Sequence, residues 1–86
     1  MKTINDFFGE RVREARKAKG WSIEYLSFES GVNKNYISDL ERGKRNPTLM
    51  ILSRISKALN CDLSTLLQGI QDYSLEDIVS TISSMR

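Results

Sequence analysis

The stretch from Ser22 to Gly43 leaves few folds open, because one glycine divides two short amphipathic runs. Ser22 opens the first run, and Glu24, Tyr25, Leu26 and Phe28 carry it on. Gly31 then breaks it. Without a Cβ, glycine reaches the left-handed conformation that a sharp turn between helices needs. Beyond the turn, Asn33 is a good N-cap residue, and Val32 and Ile37 stand at the spacing of a hydrophobic staple. The second run extends from Lys34 to Arg42 and stops at Gly43, a C-terminal glycine. The pattern reads as helix, turn, helix.

The second of these helices divides by face. At about 100° per residue, Tyr36, Ile37 and Leu40 fall on one side, and Lys34, Asn35, Ser38, Asp39 and Arg42 on the other. The apolar side belongs in a core. The polar side holds short polar groups and cations with no large apolar residue among them. That composition suits a helix laid in the major groove of duplex DNA, where amides, carboxylates and cations pair with base edges. A plain solvated face has the same composition, so the flanks must decide between the two.

Three longer stretches supply those flanks: GERVREARKAKGWS, then ESGVNKNYISDLERGKRNPTL, then ILSRISKALNCDLSTLL. From Phe8 to Leu67 the chain resembles the helix-turn-helix domain of the phage Cro and C1 repressors and their bacterial relatives, the XRE family. The run YISDLERGKRNPTL is specific, since it fixes tyrosine, isoleucine, serine, glutamate, glycine and proline at set offsets. The resemblance implies an all-α, five-helix lambda-repressor-like bundle, to which this chain adds a C-terminal helix. It implies a homodimer that binds a pseudo-palindromic operator in double-stranded DNA and regulates transcription, most often by occluding a promoter. It implies base contacts from Asn33, Lys34, Asn35 and Asp39, and it pairs Arg16 of the first helix with Glu41. Relatives commonly carry glutamine directly after the position of Ser22; Ile23 stands there in this chain, which removes one polar contact to the DNA backbone.

Reading the polar face on its own terms makes Lys34, Asn35, Ser38 and Asp39 candidates for base edges, with Asn33 added by the resemblance. Asp39 is the unusual member: a carboxylate repels phosphate but can accept from a cytosine amine. Ser22 caps the helix before the turn, and that helix end is a natural phosphate site. Arg42, Lys44 and Arg45, just past the reading helix and before Pro47, are placed for backbone phosphates. The net charge of +2 predicts no nucleic-acid partner by itself, but past Pro47 the cations thin to Arg54, Lys57 and Arg86. That asymmetry agrees with one phosphate-facing surface.

The rest of the chain builds a scaffold. Its 86 residues allow one small core. A first helix runs from near Thr3 to before Gly20, with Thr3 and Asp6 as a capping box and Phe8, Val12 and Ala15 facing inward. Trp21 reads as core, and Ser27 as a small residue where two helices approach. Thr48 caps a fourth helix whose Leu49, Leu52, Ile55 and Leu59 read as core, and Asn60 ends it in the left-handed conformation. Cys61 reads as a small buried residue. Asp62 caps a short fifth helix that Gly69 closes, so residues 1–69 form the DNA-binding domain. Residues 70–86 form a C-terminal extension in which Leu75, Ile78, Val79, Ile82 and Met85 make one apolar stripe, assigned to dimerisation.

Several classes are disfavoured. The chain has no histidine and one cysteine, so zinc sites, His-based catalysis and an internal disulfide are not expected, and a reducing cytoplasm is the simplest setting. There is no glycine-rich phosphate loop, no apolar run of membrane-spanning length and no signal-peptide pattern. No enzyme, cofactor, metal or small-molecule effector is expected. The alternative to DNA binding is a protein-interaction module on the same fold, as in antitoxins that bind a toxin.

Overall fold

In a computed structural model of the chain, residues 3–69 are described. They form five helices: α1 (Ile4–Ala18), α2 (Ile23–Ser30), α3 (Lys34–Glu41), α4 (Leu49–Ala58) and α5 (Leu63–Leu67). No strand occurs among the described residues. The expected C-terminal helix and its stripe, Leu75 to Met85, lie outside them.

Local chemistry sets the helix starts. Thr3 and Asp6 close a reciprocal capping box, with the Thr3 amide donating to Asp6 Oδ2 at 2.8 Å and the Asp6 amide to Thr3 Oγ1 at 3.2 Å. Ser22 Oγ accepts from the Tyr25 amide at 3.0 Å, and Thr48 Oγ1 from the Ile51 amide at 3.2 Å. Gly31 takes the left-handed conformation, φ 72° and ψ 14°, and its amide donates to the Ser27 carbonyl. Ser27 reaches across the turn as well: its hydroxyl donates to the Val32 carbonyl at 2.6 Å. Asn60 ends α4 at φ 54°, as its type allows. Asp62 occupies the cap position of α5, but its side chain makes no capping bond.

Val12 of α1, Leu26 of α2, Ile37 and Leu40 of α3, Leu52, Ile55 and Leu59 of α4, and Leu66 of α5 share one core with Val32 of the turn. Burying each such side chain contributes about 1.5–3 kcal/mol. Helix α3 packs on α1 and α2, α4 on α2 and α5, and α5 returns to α1. Trp21 packs half-buried against this core. Leu49 departs from expectation. It is 65% exposed, as is Met50, because the first turn of α4 projects past the edge of the core that begins at Leu52.

Gly9 lies where α1 crosses the end of α3. A Cβ there would collide with the carbonyl oxygens of Leu40 and Glu41. Gly9→Ala is expected to lower stability by about 1–3 kcal/mol, since backbone cannot yield as a flexible side chain can. Urea unfolding measures this. A stability equal to or above wild type would mean the crossing relaxes without cost and the alanine gains helix propensity instead.

Candidate nucleic-acid interface

The polar face of α3 stays open in the fold. Asn33, Lys34 and Asn35 are exposed, while Ser38 and Asp39 are half-buried one turn further on. Asn33 is occupied on one side: its Oδ1 accepts from the Asn35 amide at 2.7 Å, capping α3. Between this face and the start of α2 runs an open groove of about 460 Å³, lined by Arg16, Ser22, Ile23, Glu24, Lys34, Asn35 and Ser38. Ser22 and three of the base-edge candidates therefore border one depression. The free amides and positive dipole end of α2 lie at its Ser22 side, where an anion is favoured. Glu24 brings a carboxylate to the same rim, and sequence reasoning passed over it.

The remaining candidates gather at the other end of α3. Its last turn closes in a Schellman pattern: the Gly43 amide donates to the Leu40 carbonyl at 3.1 Å and the Lys44 amide to the Asp39 carbonyl at 2.9 Å. This folds the Arg42–Arg45 segment back on the helix. Arg42 Nη2 donates to Asp39 Oδ1 at 2.7 Å, and Arg45 Nε stands 3.6 Å from Asp39 Oδ2. The Arg45 guanidinium also lies over the Tyr36 ring, 5.1 Å from its centroid. Tyr36 thus touches the candidate site besides packing against the core. The nine-residue separation of Tyr36 and Arg45 carries no local signal for that contact. Lys44 is exposed.

Behind the face, one ion pair ties the scaffold together. Arg16 Nε and Nη2 each donate to a Glu41 carboxylate oxygen at 2.8 Å, and Nη1 donates to the Trp21 carbonyl at 2.8 Å. The side chains are 11% and 5% exposed. The bonds to Glu41 hold the Arg16 guanidinium above its ordinary pKa, against the opposing effect of burial, so it stays charged. The pair that the family resemblance implied is therefore present. It joins α1, the end of α3 and the turn that leads into α2.

Elsewhere, burial pushes the half-buried Cys61 thiol above its usual pKa, helped by Asp62 and opposed by Lys19. Such a thiol is a weak nucleophile. Among the described residues no group of acidic, cysteine or histidine side chains could hold a metal ion, and no helix is long and apolar enough to cross a membrane.

Residues 12–66 match the Helix-turn-helix family, which is more than half of the chain. The control protein C.BamHI of Bacillus amyloliquefaciens is 46% identical over 65 residues, covering 74% of this chain and 80% of that protein. The HTH-type transcriptional regulator SlrR of Bacillus subtilis is 44% identical over 59 residues, 67% of this chain; the match spans only 39% of SlrR's length. Among solved structures, the restriction-modification controller protein C.AhdI from Aeromonas hydrophila superposes with a TM-score of 0.70 at 40% identity, over 72% of this chain and 94% of that one.

Proposed function

Because this chain belongs to the XRE-type helix-turn-helix family of transcriptional regulators, we propose that it binds a pseudo-palindromic operator in double-stranded DNA as a homodimer and thereby represses or tunes nearby genes in the cytoplasm. In this reading α3 lies in the major groove. Lys34, Asn35 and Ser38 meet base edges, with Asn33 at the helix start. Each good bidentate contact contributes about 1–3 kcal/mol of discrimination. Ser22 and the α2 end bind phosphate on one flank; Arg42, Lys44 and Arg45 bind it on the other. The observation that carries the reading is this framing: an open polar helix face with an anion-favouring helix end on one side and a cation-bearing loop on the other.

One such face makes few base contacts, so a second copy is needed for discrimination. Two copies about a two-fold axis place their α3 helices about 34 Å apart, one turn of DNA. Residues 70–86 are assigned to holding them there, through Leu75, Ile78, Val79, Ile82 and Met85. Likeness to the restriction-modification controller protein C.AhdI supports a finer reading, control of a restriction–modification operon.

If the loop cations touch phosphates, Arg45→Ala should weaken binding to operator and random duplexes about equally. It should also reduce the slope of log affinity against log salt by about one unit. Titrations at several salt concentrations measure this, with a duplex that the wild-type protein selects from a random pool. An unchanged slope removes Arg45 from the interface.

A further inference from the structure

We propose that Asp39 is an internal substitute for a DNA phosphate, holding Arg42 and Arg45 in one aim that opposes phosphates approaching in any other register, and so sets how weakly the protein binds random sequence. The inference rests on the DNA-binding reading above. Its basis is the arrangement at the end of α3, where the two oxygens of a single carboxylate face two different arginines. Oδ1 accepts from Arg42 at 2.7 Å, and Oδ2 stands 3.6 Å from Arg45. The arginines are 58% and 52% exposed while Asp39 is 29% exposed, so the anion sits beneath two solvent-facing cations. The Lys44 amide bond to the Asp39 carbonyl and the Tyr36 ring under Arg45 fix the rest of the segment around it.

Such ion pairs do little for the fold, because exposed partners are well solvated with or without each other. Their consequence appears when a polyanion approaches. A phosphate must compete with Asp39 for the same guanidinium groups, and Asp39 repels it. Binding to random duplex relies almost wholly on phosphate contacts, so this competition opposes it in full. An operator complex also gains base-edge contacts from α3, which hold the helix in one geometry. There the ordering of Arg42 and Arg45 by Asp39 becomes an advantage, since both are already aimed. Asp39 is thus a positioning residue that acts through the arginines. Direct pairing of its carboxylate with a cytosine amine is the competing role.

Asp39→Asn keeps the shape and removes the charge. Its affinity for random duplex should rise about tenfold at low salt, and the slope of log affinity against log salt should steepen by about one unit, as when one more phosphate is neutralised. Affinity for the selected operator should rise less, so the ratio between the two falls, while the preferred site sequence stays the same. Asp39→Glu, which retains the charge, should restore random-duplex affinity to within about threefold of wild type, an allowance for its longer reach to the arginines. Unfolding curves should overlay for all three proteins. Unchanged random-duplex affinity and slope in Asp39→Asn would overturn the inference. So would a changed preference at one base pair without a gain on random duplex, which would make Asp39 a direct reader. Wild-type protein that shows no salt-dependent duplex binding would overturn the proposed function, and this inference with it.

Discussion

Replacing Glu41 by alanine should cost the fold about 3–5 kcal/mol, because it strands a buried charge. The Arg16 guanidinium is 11% exposed, and Glu41 supplies two of its three acceptors at 2.8 Å. Without Glu41 the Trp21 carbonyl alone remains. Domains of this size are stable by only about 5 kcal/mol or little more, so the variant should be substantially unfolded well below the wild-type midpoint. Urea or thermal unfolding reads this directly. A loss under about 1 kcal/mol would mean that the pair behaves like an exposed one. Replacing both partners together, Arg16→Met with Glu41→Leu, should recover much of the loss. A recovery would assign the cost to the stranded charge rather than to lost packing. The position adds a consequence under the proposed function: Glu41 ends the helix that carries the polar face, so the pair would fix the reach of that face toward DNA.

The helix starts were legible because capping is short-range chemistry. Thr3, Ser22, Asn33 and Thr48 each accept from an amide two or three residues ahead, and a rule of that span can be read from the chain alone. The left-handed positions at Gly31, Gly43 and Asn60 were legible for the same reason. Leu49 was not. A period of three to four residues puts it on the stripe of Leu52 and Ile55, but periodicity cannot say where along a helix the core stops. Gly9 inside α1 is itself a signal of close approach, but no local pattern says that it meets the Leu40 and Glu41 carbonyls. The Arg16–Glu41 pair came from family resemblance; its third acceptor, the Trp21 carbonyl, depends on how the α1–α2 turn folds back. The Asp39 cluster was only half legible. Arg42 is three residues away at the C-cap of the same helix, but Arg45 arrives through a loop whose path is set by backbone bonds to Leu40 and Asp39. Side-chain types marked the face as polar, and tertiary geometry decided which of its charges oppose each other.

Changing Ile78 and Ile82 together to glutamate should abolish tight operator binding while leaving residues 3–69 folded. The expectation comes from the pattern of Leu75, Ile78, Val79, Ile82 and Met85, one apolar stripe with polar residues between its members. Apolar side chains at that spacing must be covered, either by their own domain or by a second copy. The described core is built from side chains of α1 to α5 and the α2–α3 turn, with Val12, Leu26, Ile37, Leu40 and Ile55 fully buried. We propose a second copy as the occupant. Linking two reading heads turns the second binding event into an intramolecular one, and losing that link should weaken operator binding by about a hundredfold or more. Sedimentation at micromolar concentration should show the mass halved, circular dichroism should show helix retained, and operator titration should show the collapse. Outright unfolding of the double variant would place the stripe in the protein's own core. A folded variant that still sediments as a dimer would put the interface elsewhere, and the stripe would then need another role.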